Sequence, residues 1–210
     1  MSTRAVIDVS ELPHHEFDTY DPVWWGNNFL LAIETSMFAI LIASYFYLRQ
    51  NFPAWPPPVA QLTATLRPLP ELTYGTANTI LLLLSCIPMV WTDLAARRGN
   101  KRVNEIGLVI CIICGVAALV LRSFEYSAVY FRWDSNAYGS IVWFILGMHM
   151  LHLLVMTTEA VLLAVWLFKR SREYDMKHRV DIVTLAVYWY WVVGIWLVLY
   201  GVVYFTPRLG

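Results

Sequence analysis

The sequence predicts an all-α integral membrane protein that crosses the bilayer five times. Three features carry that expectation. Of the 210 residues, 59% are apolar or aromatic and only 14% are charged, against roughly 45–50% and about 25% in an ordinary soluble domain. The apolar residues are gathered into long runs separated by short charged connectors, as in a chain dissolved in hydrocarbon rather than folded around an aqueous core. The runs are too long for barrel strands and lack their alternation.

A helical span needs about 20 mostly apolar residues, because each residue rises about 1.5 Å through a core about 30 Å thick. Five segments qualify: 28–49, 74–94, 104–124, 138–168 and 182–205. The fourth is long enough to tilt or to project beyond the membrane. In the second, the missing N–H and the ring of Pro88 predict a kink. The only long connector, 50–73, contains Trp55-Pro56-Pro57-Pro58 and three further prolines, which predicts an extended, aqueous loop. The chain divides into a leader, 1–27, and a five-span membrane domain, 28–210. The leader is acidic, with Asp8, Glu11, Glu16, Asp18 and Asp21, and it lacks the basic start of a cleavable signal.

Orientation follows from the distribution of Lys and Arg. One side collects Arg4, Arg97, Arg98, Lys101, Arg102, Lys169, Arg170, Arg172, Lys177 and Arg179. The other collects Arg49, Arg67, Arg122, Arg132 and Arg208. The richer side is expected to be cytoplasmic, with the N-terminus inside and the C-terminus outside. Arg97, Arg98, Lys169 and Arg170 are then placed to meet anionic lipid headgroups, although topology alone accounts for such charges. Trp24, Trp25, Trp55, Trp91, Trp133 and Trp143 fall near span ends, as an interfacial aromatic belt requires. A net charge of zero offers no basic face for nucleic acid. Cys86, Cys111 and Cys114 all lie inside apolar runs, so no disulfide framework is implied. Cys111 and Cys114 have redox spacing, but no basic neighbour activates a thiol there, and they read as packing residues.

Few polar side chains interrupt the spans. Glu34 lies seven positions into the first, among Phe29, Leu30, Leu31, Ile33, Met37 and Phe38. A charged acid near mid-membrane costs roughly 2.5–3.5 kcal/mol on insertion scales, so it must be protonated, paired or turned to a polar cleft. Two readings stay open: a carboxyl that joins helices, or a group that handles protons or places lipid. His149 and His152 stand three apart on the fourth span, and Met156 and Glu159 continue their stripe. Two His and a carboxylate could hold zinc or iron, which would make a free-standing metalloenzyme using His149, His152 and Glu159. The spans offer no second carboxylate–His pair of the kind di-iron bundles use, and hydrogen bonding between helices, for instance to Glu34, is the preferred reading. Arg122 and Glu125, at i and i+3, read as a local ion pair at the outer end of the third span.

Together these positions resemble the third subunit of haem–copper cytochrome c and quinol oxidases. The run from Glu34 through Phe38, Ala39 and Ala43 to Tyr45-Phe46-Tyr-Leu48-Arg49 resembles that family's glutamate helix. Asn78-Thr79, the leucines after them and Ala95-Ala-Arg97-Arg-Gly99 are similar to its next helix. Arg122-Ser-Phe-Glu125-Tyr126 is similar to Gln-x-x-Glu-Tyr, with Arg in place of Gln. Tyr138-Gly139-Ser140 followed by Gly147-Met-His149-Met-Leu151-His152 resembles Tyr-Gly-Ser…Gly-Phe-His-Gly-Leu-His. The last span, Tyr188-Trp189-Tyr190-Trp191-Val192-Val193-Gly194-Ile195-Trp196-Leu197, resembles Tyr-Trp-His-Phe-Val-Asp-Val-Val-Trp-Leu, with Tyr190 where the family has His and Val193 where it has Asp. The five spans are similar to the short bacterial form, which lacks the first two helices of the longer one.

The resemblance implies a multi-pass subunit of the bacterial inner membrane, with a cytoplasmic N-terminus and a periplasmic C-terminus. It implies a V-shaped bundle, two helices against the rest, with structural phospholipids in the cleft. It also implies no haem or copper in this chain, those centres belonging to the partner. Subunit I, the catalytic subunit, and subunit II would be its partners. Its role would be to support proton uptake, sustained turnover and the access of lipid and oxygen, with Glu34, His149 and His152 lining the cleft or its packing. An accessory subunit of a nitric oxide reductase, which resembles the same family, is the alternative.

Overall fold

A computed structural model describes residues 21–57, 69–169 and 176–209. They form five long helices, with no strand among the described residues: α1 (Pro22–Gln50), α2 (Leu72–Arg97), α3 (Lys101–Ser127), α4 (Ala137–Lys169) and α5 (Met176–Tyr200). All five are long and apolar enough to cross a membrane. The protein is a multi-pass membrane protein.

Each helix starts or ends outside the expected span, and polar caps set the starts of α1, α3 and α4. The α1 helix begins at Pro22 and so takes in residues 22–27, which the sequence assigns to the leader. Asp21 caps it, accepting the Val23 N–H at 2.8 Å, and Pro22 supplies a preset φ at the first position. Residues 1–20 lie outside the described residues. Asn136 caps α4 by accepting the Gly139 N–H at 2.7 Å. The α2–α3 turn is built by its sequence. Gly99 takes φ +71°, its N–H reaches the Ala96 carbonyl and the Asn100 N–H reaches that of Ala95. Asn100 then caps α3. This is a glycine-terminated helix end in which only a residue without a Cβ takes the left-handed conformation cheaply. The α2 helix is continuous through Pro88.

The packing makes a ring of four helices, α2–α3–α4–α5, with α1 laid against the edge formed by α4 and α5. Within the most apolar window of each helix, 61% is buried for α5 and 22% for α1, so α5 is the axis and α1 the periphery. Indole N–H groups of α5 tie it to its neighbours. Trp189 donates to Ser85 at 2.9 Å and Trp196 to Thr79 at 2.8 Å, both on α2, and Trp191 donates to Thr35 of α1 at 2.8 Å. In hydrocarbon such polar contacts, with close packing of small residues, hold helices together in place of a hydrophobic driving force. An apolar cleft opens between α1 and α4. It encloses about 370 Å³ and is lined by Met37, Phe38, Ile40, Leu41, Ser44, Phe144 and Met148.

The start of the long connector does not stay in water. Trp55 is buried, and its N–H donates to the Tyr45 hydroxyl at 2.9 Å, which pairs in turn with Thr206 at 2.8 Å. Tyr138 stacks edge-on against Trp55. Trp55 therefore belongs to an aromatic knot sealing the bundle end, not to an interfacial belt, because its polar atom finds a protein partner. On the opposite end, Arg179 of α5 caps α2, donating to the carbonyls of Ala96 at 2.8 Å and Arg97 at 2.7 Å.

One contact tests this packing. A Cβ on Gly75 would lie 2.5 Å from the Tyr204 ring, whereas one on Gly194 would meet nothing within 4 Å. Gly75→Ala is expected to destabilise by about 1–3 kcal/mol, the usual cost of overpacking a rigid contact. Gly194→Ala is expected to leave the thermal midpoint of the detergent-solubilised protein unchanged or slightly raised.

Candidate functional site

The candidate polar side chains of the spans meet at two sites, at different helix junctions of α4. The first is fully enclosed. Arg122 and Glu125 of α3 form an ion pair at 2.7 Å, with side-chain exposures of 0% and 1%. They are paired at the helix end, as the i, i+3 spacing suggests, but inside the bundle rather than at an interface. Arg122 is therefore not available as an outer-loop charge. Its second amino group donates to His149 Nδ1 at 3.0 Å, and its guanidinium carbon lies 3.7 Å above the centre of the Trp196 ring. The other oxygen of Glu125 accepts from the Tyr204 hydroxyl.

The partners fix the protonation of His149. Arginine only donates, so Nδ1 must accept, and Nε2, 3.1 Å from the Val192 carbonyl, must carry the hydrogen. The imidazole is neutral and held in one tautomer. One cation and one anion remain, and they cancel. This is the condition under which ionised groups persist in a low-dielectric interior.

Tyr204 reaches Glu125 because α5 does not end as an ordinary helix. Its continuation widens into a π-helical turn at Gly201–Phe205, with the Thr206 N–H bonding back to Gly201. The wider turn shifts the register of the residues at the end of the chain. It turns Tyr204 inward over Gly75, while Thr206 meets Tyr45 of α1. Trp196, Tyr204 and Thr79 are absent from the expected site residues. No periodicity signals them, since their partners lie on other helices and one depends on an irregular turn.

The second site lies where α1 meets α4 and α5. Glu34 Oε2 is 3.1 Å from His152 Nε2, and the other ring nitrogen is 2.7 Å from the Met148 carbonyl. A carbonyl only accepts, so Nδ1–H donates there. The Nε2–Oε2 bond then holds one proton, either on a carboxylic acid facing neutral imidazole or on an imidazolium facing carboxylate. Both arrangements are net neutral. The site is less enclosed than the first, with side-chain exposures of 8% for His152 and 22% for Glu34. Phe38, which lines the apolar cleft, sets its ring at a tilt against both His152 and Trp191.

His149 and His152 share α4 but serve different junctions. His149 faces α3 and α5, while His152 faces α1. With all four ring nitrogens engaged elsewhere, the arrangement does not join His149, His152 and Glu159 as one ligand set. No group of three or more His, Cys, Asp or Glu positioned for a metal ion occurs among the described residues. The three cysteines are free thiols, with Cys111 buried. Tyr190 has no hydrogen-bond partner for its hydroxyl among the described residues, and Val193 is buried in apolar packing. Arg97, Arg98 and Lys169 are exposed at one end of the bundle, with Arg97 paired to Asp93 at 3.0 Å. Arg170 lies outside the described residues.

Fold and sites together define a polytopic helical membrane protein whose intramembrane ion pair and two α4 histidines are engaged by one another, by Glu34 and by the backbone. Its sequence matches the family model "Cytochrome c oxidase subunit III" over residues 4–207, and the chain belongs to that family. Among curated relatives named cytochrome c oxidase subunit 3, that of Anopheles gambiae is 27% identical over 195 residues, covering 90% of this chain and 71% of the relative. That of Thermostichus vulcanus is 25% identical over 178 residues, covering 85% and 84%. That of Drosophila yakuba is 24% identical over 185 residues, covering 86% and 68%.

The enclosed pair makes a graded prediction. Glu125→Gln strands a buried guanidinium and is expected to cost about 3–5 kcal/mol, whereas replacing both members of such a pair costs far less. The double variant Arg122→Gln/Glu125→Gln should therefore melt closer to the parent than Glu125→Gln alone, as read from the folded fraction after extraction in mild detergent.

Proposed function

We propose that this chain is the accessory subunit III of a terminal haem–copper oxidase in a bacterial inner membrane, with its N-terminus in the cytoplasm and its C-terminus outside. Haem and copper belong to the partner, subunit I, with subunit II completing the assembly. The chain's own work is to hold the catalytic subunit in its active form, to support its proton uptake, and to keep phospholipid and an oxygen-permeable apolar space beside it. The exposed Arg97, Arg98 and Lys169 face anionic headgroups on the cytoplasmic side, where Arg170 is expected to join them.

The observation that carries this reading is the Glu34–His152 pair beside the apolar cleft between α1 and α4. A neutral pair sharing one proton can rest in the membrane at modest cost and can exchange that proton without moving net charge. The cleft next to it takes an acyl chain. The enclosed Arg122–Glu125–His149 site has no exposure, and its role is structural.

The primary test is copurification from native membranes followed by an absorption spectrum. The reading requires haem–copper bands in the complex; a haem–non-haem-iron spectrum would transfer the chain to a nitric oxide reductase. Glu34→Gln preserves one hydrogen bond to His152 while removing the exchangeable acid. It is expected to leave assembly intact and to lower sustained turnover by a factor of a few. Loss of assembly in Glu34→Gln would assign the residue to packing instead.

A further inference from the structure

Beside the Glu34–His152 pair, a line of polar groups descends along the seam of α1, α4 and α5. On α5, Asp181, Thr184 and Tyr188 stand at i, i+3 and i+7, one stripe of a helix. The Tyr188 ring stacks on Trp191, whose ring in turn lies tilted against His152. On α4, Glu159 lies seven residues beyond His152, two turns toward the same end of the bundle. On α1, Asn27 lies seven residues before Glu34 and donates to the Thr184 carbonyl at 3.5 Å. Tyr188 is within electrostatic reach of both Glu34 and Glu159, and Glu159 is within reach of Asp181. The Thr184 hydroxyl is buried and has no partner among the described residues, which leaves it able to donate and accept within the seam.

The depths fit a ladder. At about 1.5 Å per residue, Glu159 stands about 10 Å below His152, and Asp181 about 15 Å below Trp191. The midplane is about 15 Å from the edge of the hydrocarbon. With Glu34 and His152 near the midplane, Asp181 is at the boundary and Glu159 just inside it. Both carboxyl side chains belong to half-buried residues, while Tyr188 is 6% exposed. Two carboxyls stand on this one seam, on two different helices, both on the side of the bundle where α1 and α5 begin. Ionisable groups in a span are costly and line proton or ion paths.

We propose that Asp181, Glu159, Thr184 and Tyr188 form a proton-exchange path that connects the Glu34–His152 pair to the aqueous phase at the α1/α5 starting side. Water bridges the steps between them. A proton enters at Asp181, and the exchange at Glu34–His152 returns one in the opposite sense, so charge and atoms balance. The inference deepens the function proposed above and rests on it for the identification of that side as cytoplasmic.

The test is hydrogen–deuterium exchange followed by infrared difference spectroscopy on the intact oxidase complex in lipid nanodiscs, with Glu34→Gln identifying the bands of the pair. Whichever partner carries the proton, its band shifts in D2O. Tyr188→Phe, which keeps the ring and removes one oxygen, and Glu159→Gln/Asp181→Asn are each expected to slow that shift by about tenfold or more, about 1.4 kcal/mol on the barrier. Tyr190→Phe, off the seam, should leave it unchanged. Equal rates in parent, Tyr188→Phe and the double variant would overturn the path, as would equal slowing in Tyr190→Phe. If exchange slows as expected but turnover of the complex does not change, the path stands and the proton-support reading of the subunit fails.

Discussion

Everything in the interior of this bundle is arranged around one constraint: Arg122 is a permanent cation with no exposure to either water or lipid headgroup. Its neutralisation draws on every helix of the four-membered ring. Glu125 supplies the opposing charge from α3 itself, His149 accepts from α4, and Trp196 offers a ring face from α5. The Trp196 indole passes the constraint to Thr79 of α2, whose hydroxyl donates at 2.7 Å to the Gly75 carbonyl beneath Tyr204. The Arg122 amino groups, Glu125, His149 and Tyr204 are satisfied only if the others are placed, so the cluster fixes helix register more stringently than apolar packing, which tolerates sliding.

The two histidines show how neighbours, rather than residue type, decide what a side chain can do. His149 lies between a donor that cannot accept and a carbonyl that cannot donate, and only one tautomer fits. Its one proton is held on Nε2 by the Val192 carbonyl, and a second could bind only by displacing Arg122 from Nδ1. His152, three residues on, has one nitrogen fixed by the Met148 carbonyl and the other against a carboxyl that can hold or release the shared proton. The same helix thus carries one histidine that is a structural acceptor and one that is a protonic partner. The separation comes from an offset of only about 60° between positions i and i+3, and mainly from the groups that stand opposite each.

The membrane class, the number of spans and the family were legible in the sequence because they rest on patterns that hydrocarbon enforces: long apolar runs, charged connectors, and short motifs in a fixed order. Glu34 was conspicuous for the same reason, as an acid in a run of aliphatic residues. The cluster around Arg122 was not legible. Its residues are scattered from Thr79 to Tyr204, and spacing along one helix cannot report contacts across four. Arg122 and Glu125 read as a helix-end pair because their local spacing is that of any surface salt bridge; only burial distinguishes the two. Tyr204 is hidden further, since an inserted π turn breaks the periodicity that would have assigned its face. Trp55 misleads in the opposite direction. A Trp beside three prolines at a span end has the composition of an interfacial loop, and only Tyr45 and Tyr138, distant in sequence, make it a core residue.

The contrast between the centre and the edge of the bundle bears on where function can reside. The α5 helix is buried along most of its length and bound by indole hydrogen bonds, whereas α1 touches only one edge and is held by Trp191–Thr35, Asn27–Thr184, Glu34–His152 and the Tyr45–Thr206 pair near its end. Segments with few buried contacts open at lower free energy than the core to which they attach. The protonatable pair and the apolar cleft both lie on this thinly held boundary. The charge-neutral cluster lies behind it, in the part of the fold that must not move. A subunit built to serve a neighbour's chemistry needs this division: a rigid interior that keeps its own ionised groups silent, and an edge whose polar contacts can exchange protons and admit lipid without disturbing the register of the rest.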